Sequence, residues 1–306
     1  MHACGVMIYN PCGIDRYAIP AGLIRYTPCG VGKGGKEMRY IEEKIENRPF
    51  RAYLPTATER SHYRGKRPAV VIFPGGGYAF TYEGEAEPIA LRFAAEGIPA
   101  FVLDYTCTDS TREVYPKPMI EAFAAIRFVR EHAEEYGIDP HNIASLGFSA
   151  GGHLCGCTGT LWNKPIAKDW VGEKPELSRP DKLILCYAVL KAEPPTHKGS
   201  FDNLLGEGAA WEDARLPLLD AVKNVDGETP ESFLWSTAAD TAVPAVNTLD
   251  FARALAERGV PFELHIWRHG EHGLCLGNQV TQDQPFGQDD EVSEWMREAI
   301  KFMYEA

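Results

Sequence analysis

A serine with glycines two residues to either side, Gly147-Phe148-Ser149-Ala150-Gly151, is the stretch whose residue types most directly specify chemistry. The apolar run Asn142-Ile143-Ala144-Ser145-Leu146 precedes it and a helix-compatible segment follows, so the spacing predicts a tight strand-to-helix turn. Glycines at those offsets let the backbone fold sharply and the helix pack close to its strand. Ser149 would then stand above a sheet, with its helix N-terminus and the amide of Ala150 facing any developing oxyanion. The bare pattern also describes a flexible loop; the strand before it and Gly152 behind it favour a nucleophile.

A serine hydroxyl is a poor nucleophile at neutral pH and needs a base that titrates nearby, which histidine supplies. Of the nine histidines, only His269 and His272 follow a strand end inside a glycine-flanked loop, whereas His265 falls within a strand and His153 on the helix after Ser149. His272 is the expected base, because Gly273 frees its backbone and it lies further over the strand ends; His269 is expected to be a surface or pocket residue. The imidazole needs a carboxylate to hold its tautomer and stabilise its protonated form. Asp240 follows the strand Glu231-Ser232-Phe233-Leu234-Trp235-Ser236-Thr237 and fits that role, although taken alone it also reads as a turn-forming aspartate.

A fourth strand end carries Pro74-Gly75-Gly76-Gly77-Tyr78. Successive glycines permit unusual φ values and allow backbone amides to converge on an anion. The backbones of Gly76, Gly77 and Ala150 are therefore the expected oxyanion donors, and Tyr78 and His153 the expected substrate contacts. A plain linker is the other reading of the glycines; the G-x-G-x-x-G spacing of a dinucleotide loop is absent.

The elements that must position these groups can be read in order. Residues 38–45 and 50–54 alternate like two strands, expected as an antiparallel pair at a sheet edge. Runs at 68–73 and 99–104 read as strands buried on both faces, and 182–189, 231–237 and 261–267 as further strands. Helical spacing covers about 85–96, 119–136, 245–258 and 291–303. This alternation implies right-handed crossovers and a doubly wound, mostly parallel sheet flanked by helices, with sites at the carboxyl ends of its strands. Residues 1–37 read as an irregular extension to a domain spanning 38–306. Residues 191–230, rich in Pro, Gly and acidic groups with a weak helical stretch at 211–222, read as a lid or pocket-wall insertion. Trp162, Trp170 and Trp211 are expected mainly to pack.

Composition narrows the partners. At 306 residues with 44% hydrophobic content, the chain can bury a sizeable core. A formal charge of −12 argues against a nucleic-acid partner, and Arg64-Gly65-Lys66-Arg67 reads as a short solvated loop. No apolar run approaches a membrane span and the first residues lack a secretory pattern, so a cytoplasmic location is expected and the eight cysteines are expected to remain thiols. Cys155-Gly156-Cys157 lacks zinc-type spacing and reads as helix packing behind Ser149. Neither a metal nor an organic cofactor is expected, and the oligomeric state has no signal in the sequence.

Five patches in order, Pro74-Gly75-Gly76-Gly77-Tyr78, Gly147-Phe148-Ser149-Ala150-Gly151-Gly152-His153-Leu154, Ser200-Phe201-Asp202-Asn203-Leu204-Leu205-Gly206, Asp240-Thr241-Ala242-Val243-Pro244 and Gly270-Glu271-His272-Gly273, carry a resemblance. From about residue 40 to 304 the chain resembles the α/β-hydrolase superfamily, in particular its acetyl-xylan-esterase-like and feruloyl-esterase-like carbohydrate esterases. Ser149, Asp240 and His272 stand in the chain order of that fold's catalytic triad. Pro74 stands where lipase-type relatives carry His, and Ala239 where many relatives carry an acidic residue. The resemblance implies ester hydrolysis through an acyl-enzyme, most naturally deacetylation of a sugar or xylo-oligosaccharide. A peptidase or lactonase on the same fold, and a non-catalytic binding protein, are the alternatives.

Overall fold

The structure is a computed structural model that describes residues 38–56, 66–108, 113–206, 211–281 and 290–305. The expected N-terminal extension at 1–37, with Cys4, Cys12 and Cys29, lies outside the described residues.

Among the described residues, eight strands form a single sheet: β1 (Arg39–Ile45), β2 (Arg48–Leu54), β3 (Arg67–Phe73), β4 (Ala100–Leu103), β5 (Ile138–Phe148), β6 (Lys182–Cys186), β7 (Glu231–Thr237) and β8 (Phe262–Trp267). The helices are α1 (Glu87–Ala95), α2 (Lys117–Glu131), α3 (Ala133–Tyr136), α4 (Ser149–Leu161), α5 (Pro165–Val171), α6 (Lys198–Leu205), α7 (Leu216–Leu219), α8 (Val246–Glu257), α9 (Asp290–Ser293) and α10 (Trp295–Tyr304). Spatial order is β1-β2-β4-β3-β5-β6-β7-β8; β1 and β2 are antiparallel and the six strands from β3 onward run parallel.

Strand periodicity builds both faces. Val71 and Phe73 of β3, Phe101 and Leu103 of β4, and Leu183 and Leu185 of β6 share one core with Phe123, Ile126, Leu154 and Phe251 of α2, α4 and α8. The intervening residues, Val70, Ile72, Val102, Leu146, Ile184 and Trp235, face the other way onto Ile89 and Phe93 of α1 and Trp295 and Phe302 of α10. The middle of each of these strands is therefore apolar on both faces, which is why stretches such as 69–73 and 183–186 read as continuous runs rather than alternations.

The chain order reverses at β3, which is flanked by β4 on one side and β5 on the other. The loop after β3 leads toward α1 on one face and the loop after β5 enters α4 on the other. Such a switch point leaves a crevice at the carboxyl ends of the two strands.

Several boundaries differ from the sequence reading. The segment at 119–136 is two helices, because the chain breaks at His132. Only Leu216–Leu219 of the 211–222 stretch is helical. The strand expected at 182–189 ends at Cys186, and Tyr187 adopts φ 37, a left-handed conformation that turns the chain away from the sheet. Arg67 is not a solvated loop residue: it opens β3, is buried, and donates to the carbonyls of Pro55 (2.8 Å), Gly97 (3.2 Å) and Tyr136 (3.2 Å). Arg64 and Gly65 lie outside the described residues.

Candidate active site

Ser149 sits at φ 53, a conformation that a non-glycine residue holds only under local constraint. The constraint is steric. A Cβ on Gly147 would lie 2.1 Å from the carbonyl oxygen of Gly151, and one on Gly151 would lie 2.0 Å from that of Phe73. Only glycine at both positions lets α4 start directly off β5 and pass over the end of β3. Ser149 thus stands at the N-terminus of α4, whose thirteen residues are all buried.

Three strand ends bring their side chains together. His272 Nε2 lies 2.8 Å from Ser149 Oγ, and His272 Nδ1 lies 2.7 Å from Asp240 Oδ2. With the Nδ1–H donating to the carboxylate, Nε2 is left to accept from the serine hydroxyl. Asp240 makes contacts of both kinds expected of it. Its Oδ1 accepts from the amides of Ala242 (2.9 Å) and Val243 (2.8 Å), which is the turn-forming role, while Oδ2 is left for His272. The histidine loop is pinned as well, since Thr237 Oγ1 donates to the Gly270 carbonyl (2.6 Å) and Trp295 Nε1 to that of Cys275 (2.9 Å). His269 is exposed, on the surface.

The glycine loop after β3 forms the opposite wall. Gly76, Gly77 and Tyr78 adopt φ values of 125, 65 and 60 in succession, and a Cβ on Gly76 would lie 2.1 Å from the carbonyl oxygen of Phe80. Gly76, Gly77 and Ser149 line one cavity of about 500 Å³, and Ala150 belongs to the first turn of α4, where no intrahelical acceptor exists for its amide. Asn203 of α6 braces this loop by donating to the Gly77 carbonyl (2.8 Å).

Tyr78 and His153 require a correction. Both are fully buried, and neither lines the cavity. The Tyr78 hydroxyl donates to His153 Nδ1 (2.6 Å), and His153 Nε2–H donates to the Leu219 carbonyl (2.8 Å). The pair fastens the glycine loop to α4 and α4 to α7, with both polar ends satisfied internally and nothing left for substrate. Burial pushes His153 down to about 4, so it is the neutral form that makes these bonds.

The residue that sequence reasoning missed is Glu85. Its carboxylate is buried beneath the cavity, where Oε2 accepts from the Gly75 amide (2.6 Å) and Oε1 from the Tyr187 hydroxyl (2.6 Å). The Tyr187 oxygen in turn accepts from the Cys275 amide (3.0 Å), and its ring lies 5.0 Å edge-on to His272. One side chain therefore ties the glycine loop, the end of β6 and the histidine loop together. Burial raises its pKa, opposed by the hydrogen bonds from Tyr187 and Gly75 and by the nearby His272. In sequence it looks like any acid before an amphipathic helix, which is favourable at that end and carries no sign of burial. Asn203 lay within a patch of the family resemblance; Tyr187 looked like a strand residue, and its side chain matters only because the strand ends there.

Cys155 and Cys157 are buried in α4, with the Cys155 thiol donating to the Ser145 carbonyl (3.2 Å). Trp170 packs near the rings of Tyr115 and Phe123, and Trp162 against Arg179. No described helix is long and apolar enough to cross a membrane.

Sheet order, strained elbow and converging loops define an α/β-hydrolase, the class also of the chain's structural neighbours. The family model described as BD-FAE matches residues 53–255, and the chain belongs to that family. It is 38% identical over 216 residues to endo-1,4-beta-xylanase B of Butyrivibrio fibrisolvens, covering 70% of this chain and 33% of that protein. It is 29% identical over 236 residues to an acetylxylan esterase of Xylanibacter ruminicola, covering 75% of this chain and 45% of the relative. The chain thus spans between a third and half of the length of these curated relatives. Among solved structures, an acetyl ester-xyloside bifunctional hydrolase from Caldicellulosiruptor lactoaceticus superposes with a TM-score of 0.69 at 36% identity, over 83% of this chain and 86% of that one.

Proposed function

We propose that this protein is a serine hydrolase of carboxylic esters that removes acetyl groups from a sugar or xylo-oligosaccharide. The observation that carries the reading is the unbroken hydrogen-bonded run from Ser149 through His272 to Asp240 at the edge of an open cavity. The names of the relatives, a xylanase, an acetylxylan esterase and an acetyl ester-xyloside hydrolase, support the substrate class.

In this mechanism Ser149 Oγ attacks the ester carbonyl carbon while His272 Nε2 takes its proton, and Asp240 stabilises the imidazolium so formed. The carbonyl oxygen becomes an oxyanion held by the amides of Gly76, Gly77 and Ala150, each such donor contributing on the order of 10²- to 10³-fold in turnover. Collapse breaks the bond to the sugar oxygen, which leaves with the proton from His272. Water, deprotonated by the same nitrogen, then cleaves the acetyl-enzyme to acetate and regenerates Ser149. The chemistry calls for no metal and no organic cofactor. We place the enzyme in the cytoplasm, a reading supported by the unpaired thiols of Cys107, Cys155, Cys157, Cys186 and Cys275.

Ser149→Ala is expected to lower aryl acetate turnover by about 10⁴- to 10⁶-fold, with the fold retained by circular dichroism. A fluorophosphonate should label the wild-type protein on Ser149, as mapped by peptide mass spectrometry. Attachment to another residue, or undiminished turnover in the variant, overturns the assignment.

A further inference from the structure

Two aromatic side chains stand open to solvent at the mouth of the cavity, although both belong to the segment that follows the glycine loop beside Ser149. Phe80 is 57% and Tyr82 43% exposed, and both line the cavity. Their placement is set by the turn beneath them. The amide of Phe80 donates to the Gly76 carbonyl (3.3 Å) and that of Tyr82 to the Gly75 carbonyl (2.9 Å). A Cβ on Gly84 would come within 2.8 Å of the Tyr82 ring, so the ring lies over a position that has no side chain.

Polar side chains stand on the cavity rim beside them. His197 and Asn203 line it from the segment after β6, and His197 Nδ1 pairs with Ser200 Oγ (2.9 Å), which fixes the imidazole and leaves Nε2 without a partner among the described residues. Burial lowers the His197 pKa, favouring the neutral ring. Flat apolar faces held open to water are costly unless a ligand covers them, and here they adjoin a nucleophile and a hydrogen-bonding imidazole. A pyranose ring matches that pattern, with one face of C–H groups and a rim of hydroxyls.

We propose that Phe80 and Tyr82 form a platform on which the acetyl-bearing sugar ring stacks, while His197 Nε2 hydrogen-bonds a hydroxyl of that ring. The platform rests on the sugar-ester reading above and adds the residues that select the sugar. It orients the pyranose so that the acetyl carbonyl reaches Ser149 and the glycine amides.

The test compares kcat/KM for acetylated xylobiose and for ethyl acetate, a substrate with no ring, in the wild type and in Phe80→Leu, Phe80→Trp and Tyr82→Leu. The two leucine variants keep an apolar side chain but lose the flat face. Each is expected to lower the ratio of the two kcat/KM values by about tenfold, carried mainly in KM for the sugar ester, and Phe80→Trp to restore it. A general disturbance of the loop lowers both substrates together and leaves the ratio unchanged. A wild type that cleaves acetylated xylobiose, with the ratio unchanged in both leucine variants, overturns the platform alone. A wild type that cleaves ethyl acetate but not acetylated xylobiose overturns the sugar reading and the platform with it, and one that cleaves neither overturns the esterase reading as well.

Discussion

Acidification should weaken this protein through His153, and by an amount that the structure sets. The imidazole is fully buried and has both nitrogens engaged, Nδ1 accepting from Tyr78 and Nε2 donating to Leu219, so a second proton would remove the acceptor that holds the Tyr78 hydroxyl. Its pKa falls from 6.5 to about 4 on folding, with burial the principal cause. A depressed histidine contributes stability that is fully present above about 6.5 and is lost as the pH falls toward about 4, because the unfolded chain takes up a proton that the folded protein excludes. At about 1.4 kcal/mol per pH unit the full effect lies between about 3 and 4 kcal/mol, of which about 2 kcal/mol is lost between about pH 7 and pH 4.5. The assay is urea unfolding of the wild type and of His153→Gln at both pH values. The variant starts less stable, having lost a packed ring, but it has nothing to titrate at this position. The gap between the two proteins should therefore narrow by about 2 kcal/mol on acidification. A gap that stays constant within a few tenths of a kcal/mol would refute the assignment of a buried neutral imidazole behind the glycine loop.

Two further outcomes follow from the same geometry. Asp240→Asn should leave the loop folded, because the remaining side-chain oxygen can still accept from Ala242 and Val243, yet reduce kcat by about 10⁴-fold by presenting His272 in the wrong tautomer; a crystal structure paired with steady-state kinetics checks both halves. Glu85→Leu leaves the Gly75 amide and the Tyr187 hydroxyl without their acceptor, a penalty of roughly 1–3 kcal/mol for each buried donor, and should lower kcat on ethyl acetate by at least about tenfold as the glycine and histidine loops lose their common anchor. Glu85→Gln, which keeps one acceptor oxygen, should fall between the two, and equal kcat values in all three proteins would remove the positioning role.

Much of this architecture is legible from local patterns. Continuous apolar runs announce strands covered on both faces, since a residue pointing either way meets a helix, and β3 and β4 are legible to within a residue or so for that reason, whereas β6 stops three residues short of its apolar run. The elbow is legible because its steric demand is local: Gly147 and Gly151 are forced by atoms within a few residues and by the strand beside them. The order of Ser149, Asp240 and His272 along the chain, each at a strand end, is enough to propose their meeting once a parallel sheet is inferred.

Tertiary structure alone decided what surrounds those three residues. Tyr78 and His153 follow motif glycines and have polar tips, so in sequence they look like ligands for substrate; only the packing of the glycine loop onto α4 shows that each satisfies the other. Glu85 carries the opposite lesson. Nothing near it in sequence distinguishes a solvated helix-start acid from a carboxylate enclosed among Gly75, Tyr187 and the histidine loop, because its partners lie 10 and 102 residues away. Periodicity and spacing report which face of an element is buried, since that depends on neighbours within one or two turns. Which polar atom meets which across the crevice depends on where separate strands end and how their loops fold over one another, and no local pattern encodes that.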